Sequence, residues 1–535
     1  MAEPPTPREP REAPEGASPR STAAHVMGFV GGRVVAAAIS ACTGLILPRM
    51  LGVEDAAAYG VAVGIAMMLV VITDLGCTTS LSRFLADGAV SRETMWRAVS
   101  IRYAIAAAAA LVLIAIGALG QAGAISLGSM RPHYLQLAGV LCLASSLPAM
   151  ASGLLPALRR VPALLLITIA QPLLELAGII AIVVFGGGGG HVMVASSFAA
   201  LIVGVAGMGI AMRAAGRGAA KQSGSGEQVP LAAVLGYGIP MFVVAICFTI
   251  FGQIDQMLLY WFSGPTEAAP YIWNWRLIAL INLPTLAVAT IIAPRIRTPG
   301  SASGRDLYFG WLRVLCVVSA GLAGISVFLA PWLVSVALGR EKYGASWSVF
   351  VALGVYTFLL GIAPLVTMAA NFLGGARRRV GIGIVTVGAN VVLDLLLIPS
   401  FGAYGAAAAT TVAFGWFVGA HVRLTSRLIT VDVTNADRVA ERPFRVAMFA
   451  LVVALLVGVC GTVAHLLARY VGGLTHAPYS DLVALAAGGI TGFTMFLLAA
   501  WKVLLLFGVD LRRDLRREAH AALQESESTE LEGAA

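Results

Sequence analysis

The sequence predicts an all-α integral membrane protein: about 14 transmembrane helices, set as two pseudo-symmetric six-helix lobes followed by two C-terminal helices. Three observations predict this. The 535-residue chain is 59% apolar and only 12% charged, with a mean hydropathy of +0.87, where a soluble domain carries about 25% charged residues. Its basic residues alternate by side between successive apolar runs, and one loop motif recurs six spans after its first appearance.

Residues 1–25, with six prolines and seven charges of mixed sign, cannot bury a core and are expected to form a disordered tail. Apolar runs of about 20 residues or more then give spans over 26–48, 57–84, 98–120, 133–157, 162–185 and 190–212, the first lobe (26–213). After a polar linker, 214–229, come 230–262, 268–294, 307–337, 346–373, 380–398 and 403–421, the second lobe (230–421). A loop at 422–443, two spans at 444–468 and 481–507, and a tail at 508–535 complete the chain. The runs much longer than the hydrocarbon thickness must tilt.

Orientation follows from the positive-inside rule. With the N-terminus in the cytoplasm, 29 of the 36 Lys and Arg residues fall on the inner side and five on the outer. The remaining two, Arg33 and Arg276, lie inside spans and are not explained by loop topology. Both termini are therefore expected in the cytoplasm.

The loop after the first span reads Gly52-Val-Glu-Asp55-Ala-Ala-Ala-Tyr59, and that after the seventh reads Gly264-Pro-Thr-Glu267-Ala-Ala-Pro-Tyr271, a constant offset of 212 residues. An even number of spans between copies preserves orientation. The repeat is then a parallel one, with a site expected between the lobes near the bilayer midplane.

Several function classes are excluded. The polar segments are too short for a soluble catalytic domain of 50 residues or more, so no enzyme is expected. The net charge of +9 is spread over short loops and forms no nucleic-acid patch. The six cysteines sit in apolar runs without CxxC spacing, the seven histidines are scattered, and no Walker motif occurs. Neither a metal nor an organic cofactor is predicted.

What remains are ionisable and amide groups at membrane depth, which cost about 2.5–3.5 kcal/mol to insert and persist where they face a cavity or a partner. Arg33 in the first span either lines a cavity or snorkels to the inner interface. Asp74, near Thr73, Thr78 and Thr79, is placed to pair with Arg33 across two helices. Glu175, in the fifth span, is a candidate protonatable group. Asp255 and Arg276 lie roughly 10–12 Å below the same face, either as a pair or lining one cavity. Asn274, Trp275 and Asn282 accompany Arg276 and suit sugar or phosphate contacts. Asn390 and Asp394, four residues apart, share a helical face.

The stretch Leu47-Pro-Arg-Met-Leu-Gly52 through Tyr59-Gly60, with Asp74-Leu-Gly76 and Ser82-Arg83, resembles the opening of bacterial polysaccharide exporters. These are the O-antigen and exopolysaccharide flippases of the multidrug/oligosaccharidyl-lipid/polysaccharide (MOP) superfamily. Gly238-Ile-Pro240, Asp255, Tyr271, Pro294-Arg295, Gly339 with Tyr343, and Ile398-Pro-Ser-Phe-Gly402 with Gly405-Ala-Ala continue the likeness, which covers roughly residues 26–430. The resemblance implies two lobes rocking about a cavity in the bacterial inner membrane, and transport of a polyprenyl-pyrophosphate-linked oligosaccharide to the outer leaflet. It implies arginines of the first and eighth helices, here Arg33 and Arg276, as pyrophosphate contacts. Asp74, Glu175, Asp255, Asn390 and Asp394 are read as groups for either ion coupling or structural pairing, with H⁺, Na⁺ or the membrane potential as the candidate driving forces. Membrane lipids, a polysaccharide polymerase and assembly proteins are the implied partners. A drug or cation antiporter and a lipid-linked peptidoglycan-precursor flippase are the alternatives. The second span lacks the mid-helix arginine that some flippases of the latter kind carry.

Overall fold

The computed structural model describes residues 19–86, 90–221, 229–296, 302–429, 443–474 and 479–507. Most of the expected N-terminal tail, parts of the 214–229 linker and 422–443 loop, and the 508–535 tail lie outside these residues, as does the side chain of Arg33. Among the described residues the regular structure is helical, as hydrocarbon requires of a chain that must satisfy its backbone polar groups internally.

The first half comprises α1 (Pro19–Met50), α2 (Val53–Asp74), α3 (Cys77–Ala86), α4 (Arg92–Gln121), α5 (Pro132–Ala157), α6 (Val161–Phe185) and α7 (Gly189–Lys221). The second comprises α8 (Leu231–Ser263), α9 (Pro265–Ile281), α10 (Leu283–Ile292), α11 (Ala302–Phe328), α12 (Ala330–Val334), α13 (Arg340–Tyr343), α14 (Trp347–Ala352), α15 (Gly354–Phe372) and α16 (Ala376–Ile429). Two more helices follow, α17 (Pro443–Leu474) and α18 (Ser480–Leu506). Eleven of the described helices are long and apolar enough to cross a membrane, or 12 if the bent pair α9–α10 is one span. Hydropathy alone predicts about fourteen.

Four runs predicted as single spans are broken. The 57–84 run ends α2 at Asp74, passes Leu75 and Gly76 with φ of 47° and 74°, and restarts as α3. The 268–294 run bends by 45° between α9 and α10, where Pro284 in the first turn of α10 has no N–H to continue the ladder. The 307–337 run breaks at Leu329, ahead of Pro331, and ends in a π-turn over Ser335–Gly339. The 346–373 run breaks at Leu353. Hydropathy misses all four: Leu75, Gly76, Leu329 and Leu353 are apolar or small, and the single polar Asn282 does not interrupt an otherwise apolar run.

The break at Gly76 brings the two halves to backbone contact. A Cβ on Gly76 would lie 2.2 Å from the carbonyl oxygen of Gly238 on α8. Beside it the Arg83 guanidinium sits 4.5 Å from the Tyr237 ring and donates to its hydroxyl. At the opposite end Lys342 donates to the carbonyls of Arg49 (2.8 Å) and Leu51 (2.9 Å), and the Tyr260 hydroxyl donates to that of Ser129 (2.9 Å). Between these ends, Tyr59 of α2 stacks on Trp273 of α9 with centroids 6.5 Å apart and ring planes at 4°. The largest buried core runs continuously through both halves. A separate core joins α11 to α17 and α18 through Ile325, Leu329, Cys460, Ala464 and Phe496.

Candidate functional site: buried polar groups along the contact between halves

The hairpin α8–α9 places its polar residues on two faces, because residues three and four apart on a helix share a side. Tyr271 and Trp275 turn into the second half. Trp273 and Arg276 turn toward the first.

On the inward face, Asp255 is completely buried. Its carboxylate accepts from the Tyr271 hydroxyl, from Thr410 Oγ1 at 2.9 Å and from the backbone N–H of Gln256 at 3.0 Å. Two turns of α16 complete the cluster: Asn390 Nδ2 donates to Asp394 Oδ2 at 3.0 Å, and both side chains are fully buried. Oδ1 of Asn390 and Oδ1 of Asp394 have no hydrogen-bond partner among the described residues. Asp394 and Asp255 are close enough to interact electrostatically. Both carboxyls are thus buried without a Lys or Arg ion pair among the described residues, a costly arrangement unless a partner or an ion offsets it. Asn390, Asp394 and Asp255 are legible in the sequence as buried polar groups; Tyr271 appears there in the repeat and in the family resemblance, and Thr410 carries no sequence signal.

On the other face, the Arg276 guanidinium lies 4.6 Å from the Trp273 ring and 5.8 Å from the Tyr59 ring. No ion pair joins it to a carboxylate among the described residues, so the expected Asp255–Arg276 pair does not form. Cation–π contacts of about 0.5–2 kcal/mol hold the guanidinium in place of a salt bridge. Arg276 also interacts with the Tyr59 hydroxyl, and Glu175 of α6 and Ser196 of α7 lie near the same group; Glu175 itself accepts from Gln171 Nε2 at 3.2 Å. Arg276, Tyr59, Glu175 and Ser196 thus converge from both halves.

The residues expected beside Arg276 diverge from it. Asn274 is fully buried and donates to the Pro270 carbonyl (2.9 Å) and to the Ser346 carbonyl (3.1 Å). Trp275 stacks on Tyr356 with centroids 4.5 Å apart. Asn282, at the α9–α10 bend, donates to the Ile278 carbonyl at 3.1 Å, and its Oδ1 would lie 2.8 Å from a Cβ on Gly361.

The expected pairing of Asp74 with Arg33 lies outside the described residues, as the Arg33 side chain does. Among the described residues the partner of Asp74 is Arg102 of α4, with Nε 2.7 Å from Oδ1, and Thr78 donates to the same oxygen. Arg102 also donates to the Ser146 carbonyl at 3.0 Å and is 2% exposed, so a residue that loop topology assigns to the inner surface is buried in the first half. Breaking such a pair leaves one charge uncompensated. Arg102→Ala should lower stability by about 3 kcal/mol, read as a fall in the detergent-solubilised melting temperature, and adding Asp74→Ala should recover most of it.

Among the described residues, buried polar groups lie along the contact between the two halves of a helical membrane bundle. The chain belongs to the polysaccharide biosynthesis protein family, whose profile matches residues 26–296. It is 28% identical over 174 residues to the "Probable flippase AglR" of Haloferax volcanii, an alignment covering 30% of this chain and 35% of that protein. The match thus spans about a third of that relative's length. In fold it is similar to a structure described as "Lipid II flippase MurJ, inward closed conformation" (TM-score 0.61, 12% identity, 92% of this chain and 99% of that one). It is also similar to the MATE multidrug transporter DinF-BH (TM-score 0.55, 16% identity, 80% and 100%). A MOP superfamily transporter from Pyrococcus furiosus gives a TM-score of 0.51 at 15% identity, covering 76% and 96%. At these identities the likeness is one of fold.

Proposed function

We propose that this chain is a flippase that carries a polyprenyl-pyrophosphate-linked oligosaccharide from the cytoplasmic to the outer leaflet of the bacterial cytoplasmic membrane, by alternating access, for cell-surface polysaccharide synthesis. The observation that carries the reading is Arg276: a cation between the two halves, cradled by Trp273 and Tyr59 and without a carboxylate ion pair among the described residues. A guanidinium fork matches phosphate geometry. Arg33 is its proposed counterpart in the first lobe. The family and the printed name of the Haloferax relative support the substrate class.

In this reading the chain has 14 spans. α16, at 54 residues, is roughly 80 Å of helix, far beyond one bilayer crossing. Non-helical Gly402 (φ 54°, ψ −131°) marks the junction of two spans. The apolar part of α1, Val35–Met50, belongs to a first span too short to qualify by itself. Contacts between the lobes at both membrane ends are the gates, opened in turn. The Asp255, Asn390, Asp394 and Thr410 cluster is the coupling site, taking H⁺ or Na⁺.

The test is leaflet-resolved accumulation of lipid-linked sugar in a strain deleted for this gene. Build-up on the inner leaflet, reversed by the wild-type chain, is the expected result. Normal outer-leaflet delivery would overturn the reading. Efflux of a cationic dye by the reconstituted chain would favour the antiporter alternative.

A further inference from the structure

The bundle carries a second basic feature, remote from Arg276 and not used in the transport scheme. A cleft of about 760 Å³ opens between the N-terminal end of α16 and its C-terminal end. Three arginines line it: Arg378 from one end, Arg423 and Arg427 from the other. Trp416, Ile382 and Leu424 make its apolar wall, and among the described residues no Asp or Glu lines it.

The placement is not that of ordinary loop charge. Trp416, Arg423 and Arg427 fall at spacings of seven and four on one helical face, and Ile382 follows Arg378 by four. The arginines thus cap a groove whose apolar wall descends along the helices. From Arg423 to Trp416 is roughly 10 Å along the axis, the step from headgroup to upper acyl chain. Trp416 is 55% exposed, as an interfacial ring is. Adjacent Arg379 points the opposite way: it is buried and donates to His421 Nε2 at 3.1 Å and to Asn371. The helix end therefore already has its structural arginine, and Arg378 and Arg423 remain exposed toward the cleft.

We infer that this cleft is a binding site for an anionic phospholipid of the bilayer, its phosphate held by Arg378, Arg423 and Arg427 and its upper acyl chain laid against Trp416 and Ile382. Charge complementarity and the arginine-to-indole spacing select this occupant: a soluble anion has no use for the apolar wall, and a zwitterionic lipid gains little from three guanidinium groups. The site is separate from the proposed transport cavity, so the two readings stand or fall apart.

The experiment uses the full chain in proteoliposomes. Trp416 fluorescence is obtained as the difference between wild type and Trp416→Phe, and is quenched with dibrominated phosphatidylglycerol or dibrominated phosphatidylcholine. Quenching by the anionic lipid should reach half-saturation at a lower mole fraction. Arg378→Gln/Arg423→Gln should reduce that preference about 25-fold, near fivefold for each arginine. The charge-preserving Arg378→Lys/Arg423→Lys pair should retain most of it, which separates lost binding from lost folding. Molar salt should erase the preference. Equal quenching by both lipids, or an unchanged preference in the glutamine pair, would overturn the inference. So would displacement of the anionic lipid by an equimolar polyprenyl diphosphate, which would assign the cleft to the transported lipid.

Discussion

Arg276→Gln should reduce flipping in proteoliposomes by about 10- to 100-fold while leaving the protein folded. The magnitude is that of a charge-assisted contact to a phosphate, about 1.5–3 kcal/mol. Folding survives because the guanidinium makes ring contacts with Trp273 and Tyr59 rather than a buried salt bridge whose loss would strand a carboxylate. Arg276→Lys should be intermediate: the charge remains, but a point ammonium replaces the bidentate fork. Tyr59→Phe separates two roles. It keeps the stacked ring against Trp273 and removes the hydroxyl that interacts with Arg276. If Tyr59→Phe costs as much as Arg276→Gln, the hydroxyl rather than the cation carries the contact. Wild-type flipping by Arg276→Gln would sink the proposed site.

The elements that hydropathy reads well are those with nothing to interrupt them. α5, α6 and α18 lie within one residue of the predicted runs at each end, and the apolar composition alone is enough for the all-helical class. The breaks at Leu75–Gly76, Asn282, Leu329 and Leu353 are hidden because a helix break needs a backbone angle or a missing N–H, and neither changes hydropathy. The site is partly legible for a related reason. A charge at membrane depth is conspicuous in sequence, so Asp74, Glu175, Asp255, Arg276 and Asp394 all stand out. Their partners do not, because pairing depends on which helical face meets which neighbour. Asp255 takes Tyr271 and Thr410 in place of Arg276; Asp74 takes Arg102, whose position near a predicted span end disguises it as a loop charge. One helical offset decides the first case: Tyr271 and Arg276 are five residues apart, which turns them to different sides of α9. The repeat motif is informative in an unforeseen way, since its two tyrosines, Tyr59 and Tyr271, sit at the two polar clusters.

The second large effect is expected at the buried carboxyls. Asp255 has three donors: the Tyr271 hydroxyl, Thr410 and the Gln256 N–H. Asp394 has one, from Asn390, and the pair presents two oxygens without partners. The open ligand positions are therefore on the Asn390–Asp394 side, and Asp255 supplies a neighbouring charge already held in place. Asp394→Asn keeps the shape and removes the charge. It should abolish the response of flipping to an imposed H⁺ or Na⁺ gradient and cut coupled transport by more than about tenfold, because removing one of two charges removes the reason to take up an ion. Equilibrium binding of a polyprenyl-diphosphate sugar should change little, since that contact is assigned to Arg276 on the opposite face of α9. Asp255→Asn should impair coupling as well, with an added loss of stability of about 1–3 kcal/mol where its donors lose an ionised acceptor. Thr410→Val removes one donor and one oxygen without altering charge; it should weaken ion dependence rather than abolish it. Measuring the gradient dependence and the substrate affinity on the same preparations separates the two sites. A gradient response preserved in Asp394→Asn would remove the cluster from the coupling scheme and leave the membrane potential, acting on the charges of the pyrophosphate at about 2.3 kcal/mol per charge per 100 mV, as the driving force.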